Sequence, residues 1–156
     1  MTYLKNFSLI VFTFFLVYTE VGINTFLSGN EYLEALPFLV YLFYVATFKF
    51  SRSSIIVLIL NGFYYDLLFT DNYLGYTSIK FLLICMIVNF ISTKGDLGFI
   101  ANFFLFYTCT LLYKFEIIFG NIDATLFYLL VICFPNYLLF KAFTSNLRRD
   151  VFSTKI

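Results

Sequence analysis

The sequence predicts an all-α integral membrane protein: one compact bundle of six transmembrane helices with both termini on the cytoplasmic side. Three observations carry that expectation. Hydrophobic residues make up 62% of the chain and charged residues 12%, against roughly 45–50% and about 25% in soluble domains. The few charges sit in short gaps between long apolar runs. These gaps alternate in sign, as the positive-inside rule produces when a chain crosses a bilayer repeatedly. Finally, the apolar runs lack the period-2 alternation of a membrane β-barrel.

A bilayer core of about 30 Å takes roughly 20 helical residues per crossing. Six crossings therefore consume most of the 156 residues. A single transmembrane domain over 1–156 is expected, with no room for a soluble domain.

The first span is expected at about 7–27, after Lys5. It is too long for a signal-peptide core, and no A-x-A-like cleavage site follows, so an uncleaved helix is expected. Glu20 and Asn24 share a face near its far end. Gly29, Asn30, Glu31 and Glu34 mark an outer loop. The second span, about 36–48, starts with Pro37, tolerated in a first helical turn where a missing N–H costs nothing. It is short, which places the preceding Glu-Tyr-Leu-Glu segment in the membrane interface.

Lys49 and Arg52 lie in a basic turn before the third span, about 55–69. A break at Thr70, Asp71 and Asn72 separates it from the fourth, about 74–91. Lys94 and Gly95 fall in the next turn, ahead of the fifth span, about 97–119. Gly120, Asn121 and Asp123 form an outer turn before the sixth, about 124–143, which Pro135 interrupts. A proline within a span usually kinks the helix. Residues 144–156 read as a short basic cytoplasmic tail.

Orientation follows from the basic residues. With the N-terminus inside, the inner side receives Lys5, Lys49, Arg52, Lys94, Lys141, Arg148, Arg149 and Lys155, eight of the ten. Seven of the nine acids fall in the outer half, namely Glu20, Glu31, Glu34, Asp66, Asp71, Glu116 and Asp123. Only the basic bias sets topology, and the acids agree with it.

Composition narrows the chemistry. There is no His, so an imidazole base and a Ser-His triad are excluded. No loop carries the dense basic stripe of a nucleic-acid binder. Cys85, Cys109 and Cys133 each lie mid-run and read as buried free thiols. No nucleophile–base pair, phosphate-cradling loop or metal-ligand spacing is present, so neither enzymatic activity nor a cofactor is expected.

Polar groups inside the spans are costly, by about 2.5–3.5 kcal/mol for a charge at the centre, and so are paired or functional by default. Asp66 follows Gly62 by four residues, and the glycine leaves a notch where another helix or a partner can approach. Counting outward from the turn puts Lys80 at the depth of Asp66, which predicts an ion pair. Lys114 and Glu116 are expected to snorkel at the outer rim. Asn61, Asn89 and Asn136 read as interhelical glue. There is no GxxxG pair, so interlocking Phe and Leu surfaces, and not close glycine crossings, are expected to pack the bundle.

The run Gly62-Phe-Tyr-Tyr-Asp66-Leu-Leu, a polar turn, then Leu74-Gly75-Tyr-Thr resembles the signature region of MreD, the rod shape-determining membrane protein family. Pro37, Asn136 and the run ending Leu147-Arg148-Arg149 match in position. The chain departs from the pattern in its richness in Phe and Tyr and in Asp71-Asn72-Tyr73 at the turn. The resemblance implies a non-catalytic scaffold of the cell-wall elongation complex in the bacterial cytoplasmic membrane. It implies an MreC-like single-span partner, a class B peptidoglycan transpeptidase, a RodA-type glycosyltransferase and the MreB filament. Gly62, Asp66, Gly75, Lys80, Pro37 and Asn136 are then the candidate structural or partner-binding residues. The inner residues Lys49, Arg52, Arg148 and Arg149 are expected to contact anionic lipid headgroups, with cytosolic-protein docking as the alternative.

The family's fold is similar to the substrate-binding subunits of energy-coupling-factor vitamin transporters, which supplies a rival reading. Such a subunit would carry an Ala-x-x-x-Ala face on its first helix, and the first span here contains no alanine. That favours the scaffold.

Overall fold

A computed structural model describes the backbone of residues 2–27, 34–69, 73–95, 98–115 and 122–153, and the side chains of 7–27, 34–69, 73–95, 98–115 and 125–145. Among the described residues it contains six helices and no strands: α1 (Thr2–Leu27), α2 (Pro37–Phe48), α3 (Arg52–Phe69), α4 (Tyr76–Ser92), α5 (Phe99–Tyr113) and α6 (Ile122–Ser153). Each corresponds to one expected span. The expected fifth span is longer than α5, which stops at Tyr113, while α6 continues through Pro135 and past Phe143, so the expected tail is helical as far as Ser153.

Among the described residues, three segments are long and apolar enough to cross a membrane: Phe7–Leu27, Arg52–Phe69 and Thr125–Ser145. The helices α2, α4 and α5 are apolar but shorter. At 1.5 Å per residue, the 12 residues of α2 rise only about 18 Å, well short of a bilayer core. A helix that short, placed inside a membrane protein, has ends that water does not reach freely, so its terminal N–H groups need partners from the protein.

That short helix is the centre of the molecule. It packs against α1, α4, α5 and α6. Phe38, Leu39, Leu42, Phe43 and Ala46 have no exposed surface, and Val45 is buried with them. The core is built largely from ring contacts, as expected from the aromatic content. Phe43 meets Phe106 and Phe140 edge-on at 5.1 and 4.9 Å. Phe38 meets Phe81 at 4.9 Å, and Phe81 stacks on Tyr113 at 5.8 Å. Such pairs add about 0.5–1.5 kcal/mol beyond the area they bury. Cys85, Cys109 and Cys133 are free and buried in the same core.

One packing expectation is corrected. The helices α3 and α4 pack most extensively of any pair, and their crossing is glycine-mediated despite the absence of GxxxG. A Cβ built on Gly62 would lie 2.3 Å from the Ser78 Cα. One glycine facing one serine suffices, because Ser78 is itself small and sends its Oγ proton to the Ile59 carbonyl at 2.9 Å.

Candidate functional site

Among the described residues, the acidic side chains of the bundle gather at one end, where α1 and α3 finish and α2 and α4 start. Two buried carboxyl groups organise it. Asp66 lies near the end of α3 and is 4% exposed. Its Oδ2 accepts the Gly75 N–H at 2.7 Å, and the Thr77 N–H lies 3.2 Å from both oxygens. These N–H groups belong to the start of α4, whose own N-cap residue, Gly75, has no capping side chain. Asp66 therefore caps the next helix from the previous one, and its charge suits the positive end of that helix. Gly75 adopts a φ of 95°, the left-handed region that favours glycine.

An ion pair with Lys80 is the sequence expectation for Asp66; the partners described for its carboxyl oxygens are these backbone amides. Both Asp66 oxygens face backbone amides, while the Lys80 ammonium lies 4.9 Å from the Tyr76 ring centroid. The carboxyl group points along the turn towards the first amides of α4.

Glu20 repeats the device one hairpin earlier. It is 3% exposed near the end of α1. Its Oε2 accepts the Phe38 N–H at 2.9 Å, in the first turn of α2, and its Oε1 accepts the Tyr113 hydroxyl at 2.5 Å. The residues leading into α2 are held on every side. Asn24 accepts from the Ala35 N–H and donates to the Ala35 carbonyl, both at 2.9 Å. Asn136 accepts the Leu36 N–H at 2.8 Å and donates to the Glu34 and Ile132 carbonyls at 3.0 and 2.9 Å. Pro37 lacks an N–H, so Leu36 and Phe38 on either side supply the donors, and both are satisfied.

Lys114 forms an ion pair with Glu34, each about one-sixth exposed. This corrects the expectation that Lys114 snorkels; Glu116 lies outside the described residues. Glu20, Asn24, Glu34, Tyr65 and Lys114 line a recess of about 300 Å³. Deeper in the bundle, Asn61 donates to the Thr13 hydroxyl at 2.9 Å and so ties α3 to α1, as expected of an interhelical amide. Asn89 is half-buried near the end of α4.

The candidate residues thus form two groups. Gly62, Asp66 and Gly75 meet in the α3–α4 hairpin, with Lys80 one turn along. Pro37 and Asn136 meet at the start of α2, bridged to the first group by Phe38, Phe81 and Tyr65. Lys49 and Arg52 are exposed at the opposite, basic end. The side chains of Arg148 and Arg149 lie outside the described residues, as do Glu31 and Asp71. Sequence reasoning did not find the roles of Glu20, Tyr113 and the Glu34–Lys114 pair. The signal that could have found Glu20 is its spacing to Asn24 on the face that precedes a Pro-initiated short helix.

Chemically, the arrangement holds backbone. The carboxyl oxygens of Glu20 and Asp66 accept from amides or a phenol, and among the described residues no group of three His, Cys, Asp or Glu could hold a metal ion. Comparison with protein-family models, with curated proteins and with solved structures finds no match for this chain.

Proposed function

We propose that this chain is a six-span protein of the bacterial cytoplasmic membrane, with both termini inside, that serves as a non-catalytic scaffold of the cell-wall elongation complex. On this reading its partners are an MreC-like single-span protein and, through it, peptidoglycan synthases. The observation that carries the reading is the α3–α4 hairpin. The three residues on which the resemblance to MreD rests each have a backbone-level role there: Gly62 admits Ser78, Asp66 caps α4 and Gly75 makes the left-handed turn. A motif that sets backbone geometry suits a protein that works by presenting a fixed helical surface. The engagement of Glu20 and Asp66 with backbone amides supports a structural use of the buried acids.

Co-purification from the native membrane tests the proposal. The expected result is recovery of an MreC-like protein and a transpeptidase; their absence, with the chain intact and folded, contradicts it. A reporter fused behind Ile156 should be active only in the cytoplasm. The rival vitamin-binding reading has one observation in its favour, the recess beside Glu20 and Lys114. Its volume of about 300 Å³ sits at the bottom of the range for ligand pockets, about 300–1,000 Å³. Saturable vitamin binding by the purified chain would favour that reading over the scaffold.

A further inference from the structure

At the end opposite the carboxyl caps, a second and larger cavity opens between α2, α4, α5 and α6. It has a volume of about 670 Å³. Its walls are of two kinds. Phe48 and Phe99 present half-exposed rings, while Ser92, Asn102 and Ser145 contribute hydroxyl and amide groups. Lys141 stands at the edge with its ammonium 4.0 Å from the Phe99 ring centroid. One side of that ammonium is turned to the ring, and a lysine has three protons to donate.

Among the described side chains, the charge around this opening is basic; Asp96, which follows the lining residue Gly95, lies outside them. Lys49 follows the lining residue Phe48, and Lys94 precedes the lining residue Gly95. Each of the two lies over a ring of its own, Tyr44 at 5.5 Å and Phe90 at 4.2 Å. Arg52 is exposed in the adjoining turn. Among the described side chains no Asp or Glu lies at this end. A cationic rim over a cleft with aromatic walls and scattered hydroxyls fits an amphiphile with an anionic head. A free phosphate would use the rim and leave the aromatic walls without an occupant.

We propose that this cleft binds one anionic phospholipid, its phosphate against Lys141 and its glycerol and upper acyl segments against Phe48 and Phe99. The site depends on the chain lying in a bilayer with its basic end at the interface. It does not depend on the identity of any protein partner, so failure of the co-purification experiment leaves it standing.

The test is native mass spectrometry of the detergent-purified full chain, titrated with phosphatidylglycerol, with phosphatidylcholine, and with phosphatidylglycerol in the presence of millimolar inorganic phosphate. One phosphatidylglycerol should bind saturably, and phosphatidylcholine at least about fivefold more weakly, the factor expected from one interfacial lysine. Lys141→Gln should weaken phosphatidylglycerol by about fivefold and Lys141→Arg should restore it. Ser145→Phe, at an exposed position, should block the cleft without changing charge. Equal binding of the two lipids, displacement by inorganic phosphate, or unchanged binding in both Lys141→Gln and Ser145→Phe would overturn the proposal. Should Lys141→Gln fail to fold, the wild-type lipid preference and the Ser145→Phe result decide it.

Discussion

The two hairpins α1–α2 and α3–α4 use one device at two ranges. In each, an acid near the end of the long first helix accepts N–H groups from the start of the shorter second helix. Asp66 reaches 9 and 11 residues along the chain to Gly75 and Thr77. Glu20 reaches 18 residues to Phe38 and 93 to Tyr113, and Asn136 closes the same helix start from 100 residues away. Asp66 therefore organises one hairpin, whereas Glu20 sits where three parts of the bundle meet. The cause is the position of the capped helix. The centre of the bundle is α2, surrounded by four others, so its N-terminus must be satisfied by side chains from several of them. Outside that centre, α4 can be capped by its own hairpin.

The contrast predicts a ranking of substitutions. Glu20→Leu should be the most damaging, because it orphans the Phe38 N–H and the Tyr113 hydroxyl together. At about 1–3 kcal/mol for each of the two buried unsatisfied groups, the loss is about 2–6 kcal/mol. It should show as a large drop in unfolding midpoint in mild detergent, with Glu20→Gln in between. If Glu20→Leu were as stable as wild type, the long-range cap would have no energetic weight.

Gly62→Ala should cost about 1–3 kcal/mol by overpacking, since the new Cβ would meet Ser78 backbone at 2.3 and 2.4 Å. Its damage should be confined to the α3–α4 crossing. A paired Gly62→Ala, Ser78→Gly variant should recover little, because the Cα and N atoms that the new Cβ meets remain in glycine. Full recovery would place the strain on the serine side chain alone.

Asp66→Ala should cost about 1–2 kcal/mol, the range for a lost helix cap, and Asp66→Asn less, because an amide oxygen can still accept from Gly75. Asp66→Leu should also lower the yield of any complex the chain forms. Asn136→Leu should be the mildest of the series, at about 1 kcal/mol, given about 0.6 kcal/mol for a typical interhelical polar contact. Combined with Glu20→Leu it should be non-additive, since both act on the start of α2. Strict additivity would mean that the two clamps are independent.

The legibility of the sequence followed the same division of ranges. Six helices could be read because apolar runs and charged gaps are local signals, and the start of α2 at Pro37 is written in residue types; Gly75, expected inside the fourth span, is instead the left-handed residue just before α4. The importance of Gly62 and Asp66 could be read because they sit four apart on one helix, beside the turn they serve. The cap that Asp66 makes was not read, because the Gly75 and Thr77 amides it accepts from carry no side-chain signature. Glu20 was harder still. Its partners lie in α2 and α5, and nothing in the first span reveals that α2 is the centre of the bundle. Lys114 looked like a rim residue for the same reason, as Glu34 lies 80 positions away. The absence of GxxxG suggested interlocking Phe and Leu surfaces without close glycine crossings, but a glycine on one helix and a serine on its neighbour make such an approach, and their pairing is not visible in either helix alone.

The most direct test of this account is amide hydrogen exchange at single-residue resolution, comparing wild type with Glu20→Leu and Asp66→Leu. The account predicts that Asp66→Leu accelerates exchange at Gly75 and Thr77 and leaves Leu36 and Phe38 protected. Glu20→Leu should accelerate Phe38 and Leu36 and extend to the amides of α5 around Tyr113. Equal, local effects from both substitutions, or protection at Phe38 that survives the loss of Glu20, would contradict it.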